Sequence, residues 1–352
     1  MTQKQHKTNL IITLIFLTYF VICGFKIPEN KLSDIKTLEH LTFATLMAFP
    51  EKALSGENSH SFSFDETKIT PAEFEKILTQ LYNNNYILVD IYDIVESKEN
   101  KISLKELTLP NKKKPLVLSF DNVTYKSSYQ NLGEIDKIIV DRNNKFATYT
   151  TKRSIQDRVM HNNEFIPILE EFIDKNPDFS HNNAKGIIFF TGENGILGYT
   201  TNSRNASAKY ENKRVVEVVN KLKLSGWKFG SNNYKYIDDN TITDLEFIKN
   251  ISLWNKEIKP LIGETSLYAF PNGIHCECPN KSQFLVDNGF NIQFYNSMKN
   301  NIIIKDGIIK MTRKAINGST LRNNSKELSH LFNCEEVYDH TVRLVPFHST
   351  LL

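Results

Sequence analysis

Short apolar runs alternate with amphipathic stretches along most of this 352-residue chain, and that alternation narrows the fold more than any single motif. Leu41 to Phe49, Tyr86 to Ile91, Pro115 to Phe120, Gly186 to Phe190, Trp227 to Ser231, Ser266 to Phe270 and Asn291 to Tyr295 read as strands. Between them, residues 70–81, 164–175, 211–224, 241–258 and 282–288 read as helices, with apolar residues mostly three and four apart on one face. Thr70-Pro71-Ala72-Glu73 spells a helix start: Thr70 caps, Pro71 suits the first turn, and Glu73 reaches back to close a capping box. Strands joined through helices run parallel. With this many units and no glycine-rich phosphate loop, the fold class expected is α/β, a closed or distorted (β/α) barrel. Residues 302–311 add a hairpin about Asp306-Gly307. Residues 124–160 are polar and irregular, and are expected to form an insertion with a small hairpin.

Net charge is only +3, with both signs mixed along the chain. That excludes the concentrated basic face of a nucleic-acid-binding protein. Lys4, His6 and Lys7 precede Leu10–Phe25, a stretch of 16 mostly apolar residues. Residues 1–25 therefore read as an N-terminal membrane anchor or signal segment, residues 26–37 as a linker, and residues 38–352 as the barrel. Basic residues ahead of the apolar stretch place the barrel outside the cell, membrane-anchored or secreted. Of Cys23, Cys276, Cys278 and Cys334, the last three fall outside the membrane, an odd number that cannot pair completely. Cys276 and Cys278, one residue apart beside His275, lack zinc-ligand spacing and read as incidental thiols of a loop.

Two segments carry chemistry. One is Leu118-Ser119-Phe120-Asp121-Asn122-Val123, at the end of an apolar run; the other is Gly226-Trp227-Lys228-Phe229-Gly230-Ser231-Asn232-Asn233-Tyr234-Lys235-Tyr236. Together with Ile69 to Asp93, Phe270-Pro271-Asn272-Gly273 and Val286-Asp287-Asn288-Gly289-Phe290, they resemble the polysaccharide deacetylases of the NodB-homology type, in a Gram-positive, membrane-anchored branch. The resemblance implies that family's distorted barrel and its reaction, removal of an acetyl group from a sugar polymer by a divalent metal that polarises the carbonyl and activates water. Carried over by position, Asp121 matches the catalytic base. Asn122 stands where the family has its ligand Asp, and Asn232 and Tyr236 stand where it has its two ligand His. Pro271-Asn272 match the motif that helps hold the oxyanion, and Ala269 falls where many members have an arginine that orients the base. No Leu-x-His near the C-terminus matches the general acid; the context of His348 does not fit.

An amide carbonyl and a phenol are poor zinc ligands near pH 7. Structural zinc gains roughly 10–16 kcal/mol from its ligands, so loss of three should abolish useful affinity. The expectation is an exported deacetylase-like pseudoenzyme with no cofactor, whose groove takes cell-wall or surface polysaccharide, with Trp227, Pro271 and Asn272 as substrate-binding residues. Asp121, Asn122 and Asn232 could otherwise hold a hard cation such as calcium. The alternative is an active carbohydrate deacetylase with a zinc-type metal on relocated ligands, Asp121 with Asp238, Asp239 or His275. A third reading is an interaction protein with a vestigial groove. Trp227 and Trp254 pack in the core or stack on sugar, His40 lines the pocket mouth or is structural, and Thr312-Arg313-Lys314 reads as a solvated face.

Overall fold

The computed structural model describes residues 30–33, 37–98 and 101–347. Seven parallel strands form its centre: β1 (Glu39–Phe43), β2 (Lys114–Phe120), β3 (Ile187–Phe190), β4 (Lys228–Ser231), β5 (Leu267–Ala269), β6 (Ile292–Asn296) and β7 (Ile308–Ala315). They neighbour one another in chain order. β7 pairs with β1 (Ala315 opposite Thr42), and the end of β2 pairs with β3 (Ser119 opposite Ile187), so the sheet closes. The start of β2 is taken instead by a short strand, Tyr86–Leu88. That wedge between β2 and β3 is the distortion in the barrel.

Five crossings carry a helix: α1 (Pro71–Asn83), α2 (Phe165–Lys175), α3 (Ala208–Ser225), α4 (Asp244–Glu257) and α5 (Pro279–Asp287). The capping box at Thr70 and Glu73 forms as the sequence predicts, and α3 ends on Gly226 with φ 105°, the left-handed cap that glycine accepts most readily. The sixth crossing, from β6 to β7, carries the strand Ile302–Lys305, antiparallel to β7. The polar insertion holds the hairpin Lys137–Val140 with Phe146–Tyr149, and Ile138 and Ala147 are buried beneath it. A second hairpin, Val95–Lys98 with Lys101–Leu104, has no counterpart in the sequence reading. β1 stops at Phe43, short of the apolar run's end at Phe49, because the backbone of Leu46 and Met47 turns away to bond Glu164 and Ile69.

The strands' period of two sorts their side chains. Val117, Ile187, Phe189, Leu267, Ala269, Ile292, Phe294, Ile309 and Met311 fill the lumen. Their neighbours in the chain, such as Leu116, Leu118, Phe120, Ile188, Phe190 and Tyr268, face outward and pack with the helices. Trp227 and Trp254 belong to this outer layer. Trp227 is 1% exposed, lies 5.9 Å from both the Phe120 and Phe165 rings, and donates from Nε1 to Glu170 at 2.7 Å. The expectation that Trp227 binds sugar is therefore corrected: its ring is core. Trp254 donates to the Phe190 carbonyl at 2.8 Å.

The anchor at residues 1–25, most of the linker, Cys23 and His348 lie outside the described residues. Of the linker, Asn30–Ser33 pairs with Leu107–Pro110. Among the described residues no helix is long and apolar enough to cross a membrane.

Gly230 shares the inward parity, and a Cβ there would meet the Phe189 ring at 2.4 Å and the Leu267 carbonyl oxygen at 2.9 Å. Gly230→Ala should destabilise the fold by about 1–3 kcal/mol through overpacking, read as a lower urea midpoint with an unchanged slope. An unchanged midpoint would show that the lumen is not packed this way.

Candidate functional site

At the carboxyl ends of the strands the lumen turns polar. Ser119, Asp121, Thr191, Asn232, Asn296 and Arg313 continue the inward parity of the strands that carry them. The Asp121 backbone N–H donates to the Phe43 carbonyl at 2.8 Å, which fixes the carboxylate over the barrel mouth. Arg313 grips that carboxylate with both terminal nitrogens, Nη1 to Oδ1 and Nη2 to Oδ2, each at 2.8 Å. The same Nη1 donates to Ser119 Oγ at 3.2 Å, and Ser119 Oγ lies 2.9 Å from His40 Nε2. Burial first, then the charges of Arg313 and Lys314, push the His40 imidazole well below its usual value and keep it neutral.

Thr312-Arg313-Lys314 is thus not a solvated face. Arg313 is fully buried, and Lys314 is buried against Glu39 at 2.5 Å. Position 269 is an alanine, and the arginine beside Asp121 comes from β7 instead. One signal for it was available: Arg313 follows Ile309 and Met311 at the two-residue period of a lumen-facing row.

Two of the three positions that the resemblance matches to metal ligands, Asn122 and Asn232, hold one another. Asn122, with φ 53°, donates its backbone N–H to Asn232 Oδ1 at 3.0 Å and accepts at its own Oδ1 from the Thr191 hydroxyl at 3.1 Å. Asn232 is fully buried and donates from Nδ2 to the Ala269 carbonyl at 2.9 Å. Asn233 caps the loop that follows: its Oδ1 accepts from the N–H groups of Lys235 and Tyr236, and its Nδ2 donates to Asp239 at 3.0 Å. Tyr236, with φ 59°, lines the pocket beside Asn272. Burial, with the Asp121 charge second, raises its pKa, so the phenol keeps its proton.

The divalent metal that the sequence resemblance implies does not fit these residues. The carboxylate is charge-paired with a guanidinium, both amide oxygens are engaged, and among the described residues no imidazole lines the pocket. Among the described residues no three His, Cys, Asp or Glu side chains converge as ligands. The relocated candidates are engaged elsewhere. Asp239 is buried, raised to about 6 by that burial, and bound by Tyr268 Oη at 2.6 Å. Asp238 accepts from the Asn240 N–H, and His275 pairs with Lys310 Nζ at 2.9 Å.

Above these residues opens a cavity of about 440 Å³, whose walls include Thr42, Tyr129, Tyr236, Asn272, Asn296 and Lys68. Pro271 is buried and Asn272, next in the chain, is exposed. His40 is a lumen residue below this cavity and lines a second one, of about 410 Å³, with Leu38, Leu104 and Met311. Beside the main cavity, Lys68 Nζ bonds Glu134 at 2.7 Å and Thr45 Oγ1 at 2.5 Å. Glu164, fully buried, accepts from the N–H groups of Leu46 and Phe165 and so ties the loop after β1 to the start of α2.

Two predictions follow from these charges. Asp121→Asn strands the Arg313 cation in the lumen and should cost about 3–5 kcal/mol in urea unfolding, much of it recovered in the double variant with Arg313→Met. A loss below about 1 kcal/mol would mean that water already solvates the guanidinium. The second concerns Glu164, which burial pushes up to about 8 from an ordinary 4.5. Between those values the folded chain holds a proton that the unfolded chain has lost, so stability falls as pH rises through this window, by at most about 1.4 kcal/mol per pH unit from this group. Glu164→Gln should flatten that slope; an unchanged slope assigns the window to other groups.

No protein-family model and no curated protein sequence matches the chain. Among solved structures it is similar to a Streptococcus pyogenes deacetylase in complex with acetate, at 13% identity and TM-score 0.45, covering 80% of this chain and 93% of that one. It is similar to a Bacillus cereus polysaccharide deacetylase at 13% identity and TM-score 0.45, covering 83% and 66%. It is also similar to a de-N-acetylase from Aggregatibacter actinomycetemcomitans at 14% identity and TM-score 0.33, covering 80% and 96%. Likeness at these identities assigns no activity to this chain.

Proposed function

We propose that this chain is a polysaccharide deacetylase-like barrel that binds carbohydrate without metal-assisted hydrolysis, exported and tethered through Leu10–Phe25. The observation that carries the proposal is the make-up of the three positions that the resemblance matches to metal ligands. Two are amides already bound to each other, to Thr191 and to the Ala269 carbonyl, and the third is a phenol that burial keeps protonated. Such groups are poor ligands for a divalent metal that would activate water.

The pocket above them suits a polyhydroxyl ring. Its volume lies in the range of small-ligand sites, about 300–1,000 Å³. Thr42 Oγ1 and Asn296 Oδ1 are buried in its wall and have no hydrogen-bond partner among the described residues. Buried polar atoms of this kind gain from a ligand that brings hydroxyls. Half-exposed Tyr129 offers an apolar ring face at the rim, with the Lys126 ammonium over it at 5.8 Å. The Lys68–Glu134 pair and the Arg313–Asp121 pair each balance their own charge, which favours a neutral sugar over a strongly ionic one.

Binding of cell-wall or surface oligosaccharides to the purified chain, followed by calorimetry, tests the reading. A neutral acetylated oligosaccharide should bind with no added metal, and Tyr129→Ala should weaken it several-fold, about 0.5–1.5 kcal/mol for one aromatic face. No acetate should be released, with or without zinc. Stoichiometric metal together with acetate release would sink the proposal and restore the enzyme. A pocket that binds no sugar would leave a protein-interaction role for the same barrel.

A further inference from the structure

Cys276 and Cys278 are joined by a disulfide, contrary to the reading of two incidental thiols. We propose that this bond is a reversible redox clip on the rim of the pocket, opened and closed by thiol–disulfide exchange at Cys278.

The two sulfurs are unequal. Cys276 is 3% exposed, whereas Cys278 is half-buried and occupies the N-cap of α5, a nine-residue helix. An external thiol therefore meets the Cys278 sulfur first. The positive end of the helix also favours a thiolate there when the bond is broken. The exchange balances with a small-molecule thiol of the glutathione class. Its thiolate attacks the Cys278 sulfur, the Cys276–Cys278 bond breaks, and Cys276 leaves and takes up a proton. A second thiol attacks the mixed disulfide and releases Cys278. Two thiols become one external disulfide, and two electrons pass to the protein.

The clip encloses only Glu277 and follows the segment that shapes the rim. From the end of β5 the chain runs Phe270-Pro271-Asn272-Gly273, then Ile274 and His275, then the clip, then α5. Asn272 takes φ 57° and lines the pocket with Tyr236. The turn rests on two further bonds, Gly273 N–H to the Phe270 carbonyl at 2.9 Å and Ile274 N–H to the Pro271 carbonyl at 3.2 Å. His275 anchors the next step, its ring centroid 4.9 Å from that of Tyr295 and 5.3 Å from that of Phe270, and its carbonyl accepts from Asn240 Nδ2 at 3.2 Å. Ile274 itself is exposed. The disulfide thus removes freedom from a short, partly exposed connector that directly precedes α5 and is joined to the pocket residue through Gly273, Ile274 and His275. Breaking it loosens the Asn272 turn while β5, inside the barrel, stays in place. The inference does not depend on what the pocket binds.

The test uses the full chain, purified in air. Peptide mass spectrometry should find the segment containing Cys276 and Cys278 lighter by two hydrogens, and free thiols there would overturn the proposal. Incubation of folded protein with oxidised glutathione should trap glutathione on Cys278 in Cys276→Ser, and about tenfold more slowly on Cys276 in Cys278→Ser; equal rates would overturn the assigned order. Should either variant fail to fold, the unmutated chain decides. After mild reduction, amide exchange at Gly273 and Ile274 should rise about tenfold while Leu267–Ala269 stays protected. Unchanged exchange at the turn would mean that the disulfide holds nothing.

Discussion

Two parallel hydrogen bonds between Arg313 and Asp121 decide what the mouth of this barrel can be. The guanidinium is fully buried, lies 5.2 Å from the Phe189 ring centroid, and has its Nε without a partner among the described residues. A cation in that position is tolerable only while its carboxylate stays beside it, because the lumen below is apolar. Such a pair contributes little net stability against an apolar replacement, yet removal of one member alone is costly. The pair therefore acts as a constraint. It pins the end of β2 to the end of β7, across β1, and it fixes the orientation of the Asp121 carboxylate.

The amides around that pair do a related job. Asn122 reaches Thr191 beyond β3 and Asn232 beyond β4, and Asn232 reaches the Ala269 carbonyl of β5. Four consecutive strand ends are thereby stitched by neutral hydrogen bonds at the positions where the sequence resemblance would put metal ligands. A bound cation at such a place cross-links strands as well as activating water. Here the cross-linking is present in amide form. Neutral bonds inside a closed barrel need no counter-charge and release no proton when they form. This gives a physical reason for the site to hold its shape with Asn122, Asn232 and Tyr236 in place.

The sequence made legible whatever obeys a local period. The strands, the helix faces, the capping box at Thr70 and the hairpin about Asp306-Gly307 all follow from spacing, and their alternation leads to the barrel. Charged residues deceived for a physical reason. Arg313 and Lys314 look solvent-facing because isolated cations seldom leave water, and their partners, Asp121 and Glu39, are 192 and 275 residues away. Trp227 shares a segment with Asn232, yet odd and even positions along it face opposite ways. Gly230 and Asn232 point into the lumen, while Phe229 packs among the outer helices. The Cys276–Cys278 bond escaped notice because an odd thiol count says which pairings are incomplete and nothing about which two sulfurs meet.

The pocket therefore has a floor and a rim of different character. The floor is set by strand parity, by closure of the sheet, and by charges that cannot be separated cheaply. Moving any one of Asp121, Arg313 or Asn232 means breaking bonds inside a packed lumen. The rim is built from the exposed turn at Asn272, the loop through Lys235 and Tyr236, which is anchored below by buried Asn233 and Asp239, and the segment around Tyr129. Local opening is cheapest where buried apolar contacts are few. Selectivity for a ligand should accordingly reside in the rim, where Asn272, Tyr236 and Tyr129 can adjust by small amounts. The floor supplies a fixed polar surface against which that adjustment is made.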